Sequence, residues 1–100
     1  MSKAKPSVLI TGASTGIGAV YADRFAKRGH DLVLNGRDAK RLDALAARLR
    51  AETGVAVDVI VGDLTTASGL ADLEQRLQGD GRIGILVNNA GATIDRKSVV

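Results

Sequence analysis

The chain has 100 residues, 45% hydrophobic and 25% charged, with twelve glycines, one proline and no cysteine. These proportions fit one globular domain and exclude collagen, coiled coil and wholesale disorder; without thiols there is no disulfide, thiolate metal site or cysteine nucleophile. The net charge of +3 comes from scattered basic residues, and the two aromatics, Tyr21 and Phe25, make no row of stacking platforms, so nucleic acid is not an expected partner.

No run approaches the roughly 18 apolar residues of a membrane span, and Met1 to Ser7 lack an apolar signal region, so a cytoplasmic chain with no membrane partner is expected. Val8-Leu9-Ile10 opens a first strand. Ile17, Tyr21, Ala22 and Phe25 recur at helical spacing and predict a helix over 16–28, stopped by Gly29 after Lys27 and Arg28. Leu32-Val33-Leu34 reads as a second, buried strand. Asp38 is placed to cap a helix through about Glu52, with Leu42, Leu45, Ala46 and Leu49 on one face and Gly54 at its end. Residues 55–61, rich in β-branched side chains, form a third strand. Leu70, Leu73 and Leu77 mark a helix over 66–77, followed by Gly79 and Gly81, and a fourth strand runs from Ile83 to Val87.

The resulting β-α-β-α-β-α-β order, with short connections, predicts a parallel sheet with helices on both faces: the first half of a doubly wound, Rossmann-like α/β fold. Residues 1–6 are a tail, and 7–100 form the N-terminal portion of a dinucleotide-binding domain.

The first turn carries the strongest chemistry. Thr11-Gly12-Ala13-Ser14-Thr15-Gly16-Ile17-Gly18 follows a strand and opens a helix, with the glycine spacing GxxxGxG. Gly12 permits a tight turn, Gly16 lets the backbone approach a pyrophosphate, and Gly18 allows helix and strand to pack closely. Free N–H groups and the helix dipole then face an anion, with Ser14 and Thr15 as hydroxyl donors. No Lys-Ser/Thr pair follows, which excludes a P-loop. The plainer reading is a tight βα turn and nothing more.

The second strand ends Leu34-Asn35-Gly36-Arg37. A site for NAD usually has a carboxylate there to bind the ribose 2′-hydroxyl. Asp31 lies at the strand's other end. Arg37 instead offers a fork for a 2′-phosphate, which favours NADP with NAD still possible; the alternative is a solvated arginine beside Asp38. Asp63 either accepts from an adenine amino group, with Leu64 on the ring, or is a turn aspartate. At the end of strand four, Asn88-Asn89-Ala90-Gly91 turns abruptly polar, as a ligand-binding crevice or an asparagine turn would.

Taken in order, Thr11 to Gly18, Asp63-Leu64 and Asn88-Asn89-Ala90-Gly91 resemble the short-chain dehydrogenase/reductase family, over essentially the whole chain from Val8. The resemblance implies that Gly12, Gly16, Ile17 and Gly18 form the coenzyme loop and that Asp63 and Leu64 lie around adenine. It places Asn89, Ala90 and Gly91 along the cofactor, with Asn88 supporting the sheet. Arg37 resembles the basic residue that selects NADPH in members lacking an acid at the position of Gly36. The implied function is an oxidoreductase transferring hydride between NADP(H) and a small-molecule carbonyl or alcohol substrate, homo-oligomeric in its full-length form.

The family's catalytic set is a later Ser and a Tyr-x-x-x-Lys motif, commonly assisted by a helical Asn. The one tyrosine, Tyr21, has Phe25 four residues on; Ser98 falls too early, and Asn88 and Asn89 precede the helix in question. No catalytic residue or metal site is therefore assigned. An implied strand order 3-2-1-4 leaves strand four at an open edge, so a piece of a longer enzyme, inactive alone, is expected. The alternatives are a non-catalytic nucleotide-binding module and a structural fragment.

Overall fold

A computed structural model describes residues 5–14 and 16–91. Seven elements follow in chain order: β1 (Ser7–Thr11), α1 (Gly16–Lys27), β2 (Leu32–Gly36), α2 (Ala39–Thr53), β3 (Val57–Val61), α3 (Ala67–Gly79) and β4 (Ile83–Asn88). The four strands make one sheet in the order β3-β2-β1-β4, every pair parallel. The expected Rossmann-like portion is the fold observed.

Strand period places the core. Val8 and Ile10 of β1 enter one apolar cluster with Ala22 and Ala26 of α1 and Leu42, Ala46 and Leu49 of α2. Leu9, between them, enters the opposite cluster with Leu73 and Leu77 of α3. Helices therefore cover both faces, and the inner strands β1 and β2 are buried at every position. At roughly 1.5–3 kcal/mol for each fully buried aliphatic side chain, this two-sided burial rather than helix propensity holds the frame.

Local signals set the boundaries. Asp38 Oδ1 accepts from the Arg41 N–H at 3.1 Å, and Gly54, left-handed at φ 78°, donates its N–H to Arg50 O, so α2 starts and stops where its caps dictate. Strand β3 begins at Val57 rather than at residue 55, because Ala56 N–H is taken by the Asp31 carboxylate at 2.9 Å. Helix α3 runs on through Gly79, past the expected stop at residue 77. Asp80 ends it, donating its N–H to Arg76 O while its carboxylate binds Arg76 and Arg82. The Arg82 side chain and main-chain N–H hold the Asp80 carboxyl at about 2. Among the described residues, no helix is long and apolar enough to cross a membrane.

Candidate functional site

A parallel sheet sends all its strand-to-helix loops to one end. Here the loops after β1, β2, β3 and β4 surround a cleft of about 600 Å3, inside the span of roughly 300–1,000 Å3 usual for small-molecule sites. Gly12, Ser14, Arg37, Asp63 and Leu64 line it, and so do Asn89, Ala90 and Gly91. Gly16, Ile17 and Gly18 do not: Gly18 is buried and Ile17 is 65% exposed. Thr15 lies outside the described residues.

The glycine turn is built by contact distances. Gly12 and Gly16 have φ of 62° and 56°, a region that side chains with a Cβ rarely occupy. A Cβ on residue 18 would overlap the Gly12 carbonyl oxygen and stand 2.9 Å from Asn89 Nδ2. Nothing lies within 4 Å of where a Cβ on Gly16 would point, so that side of the loop is open to an approaching group. Helix α1 starts there with no acid in its first turn, leaving the positive end of its dipole uncompensated.

The β4 end is bolted to this turn. Thr11, fully buried, donates its hydroxyl to Asn88 Oδ1 at 3.1 Å and accepts from Ala90 N–H at 3.0 Å. Asn89 Nδ2 donates to Gly12 O at 3.1 Å. The two adjacent amides are thus explained in part by backbone and side-chain partners, while Asn89 still borders the cleft.

Across the cleft the chemistry is charged. Arg37 is exposed and carries no ion pair among the described residues; Asp38 is engaged by Arg41, as helix cap and as an ion pair at 3.4 Å. Arg37 thus stands solvated beside an Asp38 that Arg41 engages, an arrangement that fits a plain loop arginine and an anion-binding one alike. Asp63 forms a turn, its Oδ1 accepting from Thr65 N–H at 2.9 Å and from the Thr65 hydroxyl at 2.6 Å. The Thr65 hydroxyl first, then the Thr65 amide, with Arg37 adding positive potential, hold its carboxyl below the ordinary carboxylate range. Leu64 packs partly into the α3-side core.

Five further residues line the cleft: Asn35, Gly36, Gly62, Thr65 and Leu70. Leu70 shares the α3 periodicity with Leu73 and Leu77, yet it is only half-buried, turned to the cleft while they enter the core. Gly36 is small for packing reasons as well: a Cβ there would stand 3.1 Å from Ser14 Oγ and 3.4 Å from Leu42. Asn35 was detectable as a lone amide in an apolar strand. Thr65 had no comparable signal, since its role depends on the turn that Asp63 makes.

Known proteins resemble this chain in sequence and fold. The family model described as short chain dehydrogenase matches residues 6–99. The chain is 41% identical over 83 residues to the human 17-beta-hydroxysteroid dehydrogenase type 3, covering 83% of this chain and 26% of that protein. A short-chain dehydrogenase from Sphingobium yanoikuyae, solved in complex with NADPH, is 69% identical with a TM-score of 0.85, covering 86% of this chain and 34% of that one. A bulky-bulky ketone specific alcohol dehydrogenase from Comamonas testosteroni is 60% identical with a TM-score of 0.86, covering 89% and 37%. The chain thus spans about a third of the length of the proteins it matches. It belongs to the short-chain dehydrogenase family.

Proposed function

We propose that the cleft holds NADP(H) and that the chain is the cofactor-binding part of an oxidoreductase acting on a carbonyl or alcohol substrate. The observation that carries the reading is the exposed Arg37 guanidinium beside Gly36, without an ion pair among the described residues, at the strand end where a carboxylate would repel a 2′-phosphate. The residues fit the cofactor in chemistry and room. Gly12 and the open side of Gly16 suit a pyrophosphate, and Ser14 and Arg37 suit the 2′-phosphate. Leu64 and Leu70 offer apolar surface, with Asp63 at hand, for adenine. Asn89, Ala90 and Gly91 border the remaining stretch. The NADPH complex of the Sphingobium yanoikuyae relative supports the same cofactor.

Bound in this cleft, the nicotinamide supplies or accepts the hydride. These residues bind and orient; proton exchange with the substrate oxygen needs a group within about 3 Å of it, a role for which the sequence offers no Tyr-x-x-x-Lys set. Titration of the full chain with NADPH and NADH tests the reading. Tighter binding of NADPH is expected; no binding of either sinks it. Binding without turnover is expected of these residues alone; binding without turnover of any ketone or alcohol by the intact gene product would favour a non-catalytic module instead.

A further inference from the structure

Residue 35 is the one buried amide among the described residues, 1% exposed in a strand otherwise built of Leu, Val and Gly. A buried carboxamide is costly unless it is hydrogen-bonded, and an apolar residue would fill the same place in a two-sided parallel strand at no such cost. Its bonds show what the amide does. Asn35 Nδ2 donates to Ile60 O at 3.0 Å, one residue before the end of β3. The main-chain oxygen of the same residue accepts from Ala13 N–H at 2.9 Å, within the glycine turn. One residue further, Gly36 O accepts from Gly62 N–H at 2.9 Å. Residue 35 thus ties the glycine turn, through its backbone, to β3 at Ile60, through its side chain, two residues before Gly62 of the cleft lining; Arg37 follows two residues later.

We infer that Asn35 is a positioning residue: its side-chain bond to Ile60 fixes the Asp63–Leu64–Thr65 turn at a set distance from Arg37 and the glycine turn. It thereby tunes affinity for the adenosine 2′-phosphate half of the ligand. The inference rests on the NADP(H) reading above. It assigns the amide to that half of the cleft alone, because none of its bonds reaches the Asn88–Gly91 segment.

The test is calorimetric titration of the full chain and its Asn35→Leu variant with adenosine 2′,5′-bisphosphate, together with nicotinamide emission of NADPH at saturation. Asn35→Val, matched to strand preferences, is run alongside in case the leucine variant does not fold. The expected result is an affinity for the bisphosphate about five- to tenfold weaker, as for the loss of one hydrogen bond. The melting temperature should fall only by what one internal hydrogen bond is worth, and the nicotinamide emission of bound NADPH should be unchanged. Equal bisphosphate affinity in wild type and variant overturns the inference and leaves the cofactor reading standing. So does a loss accompanied by altered emission, which would mark a general loosening. A wild-type chain that binds neither ligand overturns both.

Discussion

The two walls of the cleft are made by different physics. On the β1–β4 side, Thr11, Gly12, Gly18 and Asn89 interlock at van der Waals and hydrogen-bond distance, with no charge among them. On the β2–β3 side a Cβ at Gly69 would likewise overlap the Asp63 carbonyl oxygen, but the groups this side presents to the cleft, Arg37 and Asp63, are charged. A wall set by sterics tolerates no added atom. A wall that presents charge answers as well to salt, pH and the charge of the ligand. The first kind suits a group that every dinucleotide carries, and the second suits the group by which NADP differs from NAD.

Substitutions separate the two walls most sharply where the contact is tightest. Gly18→Val should cost about 3 kcal/mol or more, because the added atoms overlap the Gly12 carbonyl and the helix cannot retreat without opening the core. Urea unfolding should show this as a lower midpoint, with NADPH and NADH affinity lost together. A variant of unchanged stability would mean that helix and turn are not in contact.

Arg37→Ala comes next and should act on binding alone. Losing a charge-assisted bond to phosphate, at about 1.5–3 kcal/mol, should weaken NADPH roughly ten- to a hundredfold and leave NADH nearly as it was. Equal losses for the two cofactors would place the 2′-phosphate elsewhere. Thr11→Val removes one donor and one acceptor from the β1–β4 wall while keeping its shape, and should cost about 1–2 kcal/mol in thermal unfolding.

The smallest effect is acid sensitivity. Asp80, below the sheet's other end, and Asp63 both have carboxyl pKa values depressed by folding. Their stabilisation is complete above the unfolded-state pKa of about 4 and is lost as pH falls through each lowered value, for Asp80 toward about 2. Urea midpoints should decline through that window, and Asp80→Asn should flatten the decline more than Asp63→Asn. A decline unaltered by Asp80→Asn would remove its ion pairs from the account.

The order of elements was legible because apolar period and punctuation agree: Gly29 and Gly54 end helices, Asp38 starts one, and Val8 to Ile10 alternate between two cores. The glycine turn was legible too, since each of its glycines has a local physical reason. Leu70 was not. Its spacing is that of Leu73 and Leu77, and only the packing of α3 on the sheet decides which of the three meets the cleft. Asp63 carried two readings because its turn bonds to Thr65 and its place beside the cleft are compatible, and a sequence shows neither distance. The extension of α3 through Gly79 was hidden for a similar reason: Asp80, binding Arg76 and Arg82, supplies a stronger stop than the glycine.

The central claim is that Arg37, at the end of β2, reads the phosphate that distinguishes NADP. A crystal structure of the full chain with NADPH tests it most directly. The account predicts the 2′-phosphate within about 3 Å of the Arg37 guanidinium, with the pyrophosphate against the glycine turn between Gly12 and Gly16. A 2′-phosphate directed into solvent, with Arg37 turned away, would contradict it.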